Sequence, residues 1–118
     1  MPDLLHASAT WLADQLKTHA AREVVYQRGN QSVVVKATIG KTAYELLDAN
    51  NVVTTYESRD YLIRAEDLVL GGTTLPEPGD EVLEDSQTFV VLPLPNEEHF
   101  RFADPYRVLL RIHTKANS

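Results

Sequence analysis

The segment REVVYQRGNQSVVVKATIG, residues 22–40, carries the strongest secondary-structure signal in the chain because apolar side chains recur at every second position. This period is typical of strands with one buried face. Gly29 and Asn30 separate two such runs, and both residue types tolerate the positive φ of a tight turn. We therefore predict a β-hairpin whose second strand ends at Gly40. The residues predicted for its buried face are Val24, Tyr26, Val33, Val35, Ala37 and Ile39.

Similar patterns continue on the C-terminal side of this hairpin. In NVVTTYESRDYLIR, residues 51–64, Tyr61 and Ile63 share one face, and the preceding segment TAYELLD is separated from it by turn residues. One helical turn is predicted over residues 65–68. The last segment, DPYRVLLRIHTK, residues 104–115, alternates most clearly, with Leu110 and Ile112 on one face and charged residues on the other.

The segment LPEPGDEVLEDSQTFVVLPLP, residues 75–95, combines turn signals with five carboxylates. Pro78-Gly79 suits the central positions of a type II turn. A hairpin is predicted between residues 81–85 and 88–92, about Asp85-Ser86-Gln87. The prolines at its end cannot donate to a sheet ladder and therefore terminate it.

Together these patterns predict a mainly β protein, a small antiparallel β-barrel or sandwich with one N-terminal α-helix. The 118 residues suit a single domain, with the helix over residues 4–20, a β-rich part over 22–115 and a flexible tail over 116–118. The helix is expected to bury one apolar stripe, either against the sheet or against another protein. The stripe consists of Leu5, Ala9, Leu12 and Leu16.

Composition narrows the classes of function. The formal charge of −6 argues against general affinity for nucleic acid, and the absence of cysteine excludes disulfides and thiolate metal sites. No apolar run is long enough to span a bilayer, and the N terminus does not resemble a signal peptide, so an intracellular origin is expected. Residues 65–104 hold ten acids against Arg101 alone, which indicates either solvated loops or complementary patches on an assembling protein.

The sequence contains no recognisable catalytic motif, so we predict no catalytic residue, no cofactor and no metal. The four histidines lack chelating spacing, and the sequence contains no phosphate-binding loop and no nucleophile elbow. An enzyme using His99 or His113 with nearby acids stays open as an alternative. Arg59-Asp60 is interpreted either as an exposed cross-strand charge pair or as an anchor for a neighbouring subunit.

The chain resembles the head-closure and head–tail joining proteins of tailed bacteriophages over nearly its whole length. The segments that carry the resemblance are LADQL (12–16), ESRDYLI (57–63), PEPGDEV (76–82), FVVLPLP (89–95) and YRVLLRIHTK (106–115). The resemblance implies a small β-barrel that assembles as a ring beneath the portal vertex, closes the channel after DNA packaging and docks the tail. It implies no cofactor and no turnover, and it leaves open whether the chain is an adaptor, a stopper or a tail terminator.

The implied partners are copies of the chain itself, the portal or adaptor protein, and the tail tube or tail-terminator protein, without any membrane. The implied location is the head–tail junction of the virion, after synthesis in the bacterial host cytoplasm. A β-barrel module that binds a peptide or a small ligand is the alternative, and a pocket lined by Tyr44, Tyr56 or Tyr61 would favour it.

Two sets of site residues follow from the resemblance. Acids on channel-facing loops would repel DNA so that it slides without adhering, because phosphate–cation contacts generate affinity. The expected channel-facing or neighbour-facing acids are Glu77, Asp80, Glu81, Glu84 and Asp85. Residues at a contact with another subunit or the portal would supply complementary charge. The expected interface residues are Arg59, Asp60, Arg107, Arg111 and Lys115.

Overall fold

Seven strands and one short helix account for most of the residues described by the computed structural model, which are residues 10, 21–72 and 74–116. The strands are β1 Arg22–Arg28, β2 Gln31–Leu47, β3 Val53–Arg64, β4 Glu81–Glu84, β5 Gln87–Val91, β6 Phe100–Phe102 and β7 Leu109–Ala116, with a 3₁₀ helix at Ala65–Asp67. The helix predicted over residues 4–20 lies outside the described residues except for Thr10, and so do the last two residues of the predicted tail.

The sheet closes on itself. Its strand order is β3-β2-β1-β4-β5-β7, all neighbours are antiparallel, and β3 also pairs with β7, so that six strands form a closed barrel. The short strand β6 adds to β7. The predicted antiparallel β-barrel is therefore confirmed. Closure removes the exposed sheet edges that otherwise favour aggregation.

The barrel interior is filled by the alternating residues that the sequence pattern picks out. The predicted hairpin is present as β1 and β2, joined at Gly29, whose φ of 57° is the left-handed conformation that this turn requires. Tyr61 and Ile63 on β3 share the interior face, as predicted. The buried apolar residues of the barrel strands are Val24, Tyr26, Val35, Ala37, Tyr61, Ile63, Val82, Phe89, Val91, Leu109, Leu110 and Ile112.

The prediction that β2 ends at Gly40 is wrong, because β2 continues to Leu47. The side chain of Arg111 crosses the backbone at Gly40, where a Cβ atom would lie 3.2 Å from Arg111 Nη2 and 3.2 Å from Leu62 Cδ1. Arg111 Nη2 then donates to the carbonyl oxygen of Lys41 at 2.8 Å. Glycine at this position therefore makes room for a neighbouring side chain and does not terminate the strand.

Beyond the barrel, β2 and β3 continue as a two-stranded ribbon, residues 41–58, which we call the arm. β1 pairs with β2 only as far as Ala37, and β7 pairs with β3 only from Arg59 onward. The arm ends in a turn in which Asp48 Oδ1 accepts hydrogen bonds from the backbone N–H groups of Asn50 and Val52, at 2.8 and 2.9 Å. The arm thus has a defined turn, and none of the other described strands pairs with it.

Candidate functional site

A buried carboxylate, Asp60, lies on the outer face of the barrel where β3 meets β7. Its Oδ1 accepts from His113 Nδ1 at 2.8 Å and from Ser58 Oγ at 2.6 Å. Its Oδ2 accepts from Arg111 Nε at 2.7 Å and from Thr42 Oγ1 at 2.5 Å. Burial alone would raise the pKa of Asp60, but these hydrogen bonds outweigh it and lower the pKa below its ordinary value. The carboxylate therefore stays ionised and ties β2, β3 and β7 together.

His113 connects this cluster to the loop between β5 and β6, residues 92–99. Its Nε2 lies 3.3 Å from Glu97 Oε1, and its backbone N–H donates to the carbonyl oxygen of His99 at 2.9 Å. Its carbonyl oxygen accepts from Leu92 N at 3.2 Å. Burial would lower the pKa of His113, but the hydrogen bonds and charges of Asp60 and Glu97 outweigh burial and raise the pKa. His113 thus fastens the loop to the barrel.

Because the folded state raises the pKa of His113, its contribution to stability is complete below the unfolded-state pKa and is lost as pH rises through the folded-state pKa. We expect the free energy of unfolding, measured by urea denaturation, to fall as pH rises above about 6.5, the ordinary pKa of histidine. His113→Gln should remove that part of the pH dependence. If the free energy of unfolding fell with pH as steeply in His113→Gln as in the unmodified protein, the assignment of this pH dependence to His113 would be wrong.

The second buried carboxylate, Glu84, lies inside one end of the barrel. Two guanidinium nitrogens of Arg59 bind it. Nη2 lies 2.7 Å from Oε1 and 2.8 Å from Oε2, and Nε lies 3.1 Å from Oε1. Tyr61 Oη donates to Oε1 at 2.7 Å, and Arg22 Nη1 donates to Oε2 at 2.9 Å. Burial opposes ionisation of Glu84, but these donors prevail and lower its pKa. The result is a neutralised ion pair within the fold.

The third buried carboxylate, Asp80, follows the turn before β4. Arg28 binds it bidentately, with Nε to Oδ1 and Nη2 to Oδ2 both at 2.8 Å. Tyr26 Oη also donates to Oδ2, and the backbone N–H of Glu77 donates to Oδ2 at 2.9 Å. Burial together with the hydrogen bond to Asp80 raises the pKa of Tyr26, whereas Arg28 and Tyr26 lower the pKa of Asp80 against its own burial. Asp80 therefore holds the 77–80 turn against β1.

The five acids expected to face a channel or a neighbouring subunit differ in how far they are exposed. Asp80 and Glu84 are buried and paired with arginines, so neither contributes to an exposed acidic surface. Glu77 and Asp85 are exposed, and Glu81 is half-buried, with Gln27 Nε2 at 3.5 Å from its Oε1. Only these last three acids remain candidates for a channel surface.

The expected interface residues also differ in how accessible they are to a partner. Arg59 and Asp60 project from opposite faces of β3 and bind different partners, so they are not an exposed charge pair with each other. Arg111 is engaged by Asp60. Arg107 and Lys115 are exposed, and the guanidinium of Arg107 lies 5.3 Å from the centre of the Phe102 ring. Arg107 and Lys115 are therefore the members of the set most accessible to a partner.

The tyrosines and histidines proposed for the alternative functions do not converge. Tyr44 stacks on Tyr56 with ring centres 5.8 Å apart, on the arm, whereas Tyr61 is buried inside the barrel. His99 Nε2 lies 2.7 Å from the carbonyl oxygen of Pro76, away from the buried ring of His113. Among the described residues, His99 and His113 thus share no cleft, and the three tyrosines do not share one pocket. Tyr44 does line a pocket, the apolar groove described next, which is the feature expected to favour a binding module.

An apolar groove lies between the arm and the start of the 92–99 loop. Its volume is about 390 Å³. It is lined by Tyr44, Leu46, Leu92, Pro93, Leu94, Pro95, Thr114 and Lys115. The arm itself leaves large apolar side chains in solvent, which are Leu46, Leu47, Val52, Val53 and Tyr56. Neither feature was predicted from the sequence, although Leu46-Leu47 and Val52-Val53 flank one turn and are a visible signal of an apolar hairpin tip.

Metal centres and membrane-spanning helices are two further features that residues 21–72 and 74–116 could contain. No group of three or more histidine, aspartate and glutamate side chains there is placed to hold a metal ion. Within the same described part, no helix has the length and apolar character needed to cross a bilayer.

The fold and these clusters define a small closed antiparallel β-barrel with neutralised buried charges and an uncovered apolar arm. A family model described as "Phage head-tail joining protein" matches residues 2–118, and the chain belongs to this family. Membership implies a place at the head–tail junction of the virion and interaction with other phage head and tail proteins. No curated protein matches the sequence.

Proposed function

We propose that copies of this chain form a ring beneath the portal vertex, and that the ring closes the portal channel after DNA packaging and docks the tail. The neighbours of the ring are the portal or adaptor protein on the head side and the tail tube or tail-terminator protein on the other. The chain is synthesised in the host cytoplasm and then joins the virion. Membership of the head–tail joining family supports this proposal.

The observation that carries the proposal is the arm. A two-stranded ribbon alone is marginally stable in water, and contiguous exposed apolar residues usually mark an interaction site. The arm has such residues on both faces, with Leu46 and Tyr56 on one face and Leu47 and Val53 on the other. An isolated chain leaves these residues uncovered, whereas neighbours in an assembly would cover them.

Surface charge gives the ring a proposed orientation. Glu77 and Glu81 flank the start of β4, and Asp85 lies in the β4–β5 turn, so all three belong to one part of the chain. Facing the channel, they would keep DNA phosphates from adhering to the wall. Arg107 and Lys115 are the accessible cations that we assign to contacts with a neighbouring subunit or the portal.

Cryo-electron microscopy of intact virions tests the proposal directly. The expected result is a ring of these barrels between portal and tail, with Glu77, Glu81 and Asp85 toward the lumen. Heads assembled without this chain serve as the control and should lack the ring density and lose their DNA. Absence of the chain from virions would refute the function. A ring with the three acids on its outer wall would refute only the channel assignment.

A further inference from the structure

We propose that the arm of one copy docks in the groove of the next copy, with Leu47 and Val53 entering the groove and Glu45 facing Lys115. The inference rests on the proposed function in one respect: the assembly that this contact builds is taken to be the head–tail ring. It specifies the partner surface, a second copy of this chain, and the residues that meet.

The groove suits a pair of apolar side chains. Its volume of about 390 Å³ lies within the range of pockets that bury whole ligands, about 300–1,000 Å³. Its walls are mainly leucine and proline side chains together with Tyr44. The 92–99 loop that forms one wall is fastened to the barrel through His113 and Glu97. The groove is therefore a pre-formed apolar site, which lowers the entropic cost of binding.

The tip of the arm carries the matching apolar pair. Leu47 and Val53 are direct cross-strand partners, so their side chains stand side by side on one face of the ribbon. They are 64% and 56% exposed, respectively. Tyr44 and Leu46 line the groove from the opposite face, because successive residues of a strand alternate between faces. Leu47 and Val53 consequently point away from their own groove, and among the described residues they remain open to contact with another molecule.

Charge supplies the orientation of the contact. Glu45 shares the face of Leu47 and Val53, two residues from Leu47 along β2. Lys115 is exposed at the rim of the groove. Among the described residues, neither Glu45 nor Lys115 has an ion-pair partner within the chain. An apolar pair beside a carboxylate therefore meets an apolar groove beside an ammonium group, which is the complementarity expected of a specific contact.

The contact joins two different surfaces and is therefore heterologous. Repetition of a head-to-tail contact produces a closed ring when the rotation closes, and an open filament otherwise. An isologous pairing of arm with arm would instead stop at a dimer. The tip-in-groove contact is thus the type of interface that a ring of identical subunits requires.

The natural absence of cysteine permits a direct test. Leu47→Cys and Leu92→Cys are introduced into one chain, and a short bis-maleimide is added to concentrated purified protein and to neck particles from virions. We expect a ladder of dimers, trimers and larger species. Either single variant alone should give none. The matched control combines Leu92→Cys with Val34→Cys, which is equally exposed at 63% but lies on β2 outside the arm, and it should give no ladder.

Charge reversal then tests the orientation. Glu45→Lys or Lys115→Glu in the double-cysteine chain should each lower the yield of cross-linked species about fivefold, and both together should restore it. The inference would be overturned if Leu47→Cys alone gave dimers, or if neither sample gave a ladder. It would also be overturned if Leu47→Cys were cross-linked to another protein, or if the paired charge reversal did not restore the yield. If virions contain a ring of this chain but the cross-linker does not join tip to groove, the proposed function still stands and only this inference fails. If the purified protein gives the ladder but virions do not contain the chain, only the proposed function fails.

Discussion

Asp60→Asn is expected to lower the free energy of unfolding by about 3–5 kcal/mol, the cost of removing one partner of a buried ion pair. Four side-chain donors converge on Asp60, including His113 and Arg111. Asparagine keeps the size of the side chain but removes the charge, and its NH₂ group would face donors where an acceptor is required. Urea denaturation followed by circular dichroism at about pH 6, where His113 still carries its proton, measures the loss.

Glu57→Gln is the matched control, because Glu57 lies on the same strand and also has a cationic partner. Its carboxylate is 3.5 Å from Lys41 Nζ, and both side chains are largely exposed. An exposed pair of this kind contributes less than about 1 kcal/mol. Equal losses for the two variants would show that Asp60 acts only as a surface charge, against its complete burial in the structure.

The fold was predictable where the relevant signal is local. Alternation along residues 22–40 and a glycine able to adopt positive φ identify β1, β2 and their turn without knowledge of any distant residue. The length of β2 was not predictable in this way, because Gly40 accommodates Arg111, which lies 71 positions later in the chain (111 − 40). Strand β6 has only three residues and exists because β5 pairs with β7 only over residues 114–116, which leaves residues 110–112 of β7 free to pair with β6.

The site was predictable only in part, for the same physical reason. Sequence marks Asp80 and Glu84 as acids but does not reveal that Arg28 and Arg59 neutralise them. A usable signal did exist for Glu84, since it lies two residues after buried Val82 on β4 and therefore points into the barrel. The groove, in contrast, joins residues from the arm, the 92–99 loop and β7, so no local pattern identifies it.

Glu84→Gln is expected to lower the free energy of unfolding by about 2–3 kcal/mol, because charge-assisted hydrogen bonds to a buried carboxylate are lost. Arg59 Nη2 and Tyr61 Oη make the two closest of these contacts, and both donate to Glu84 Oε1 at 2.7 Å. We expect less than for Asp60 because the Arg59 side chain is 34% exposed and recovers some hydration. Urea denaturation provides the measurement, and Glu81→Gln on the same strand is the control, with an expected change within about 0.5 kcal/mol.

A double-mutant cycle distinguishes loss of the ion pair from loss of packing. Arg59 also lies 5.0 Å from the centre of the Phe89 ring, so its removal costs a cation–π contact as well as the partner of Glu84. If the pair itself stabilises the barrel, Arg59→Gln combined with Glu84→Gln should destabilise by less than the sum of the single variants, with a coupling of about 1–3 kcal/mol. Additive losses would show that Glu84 and Arg59 act independently despite their bidentate geometry.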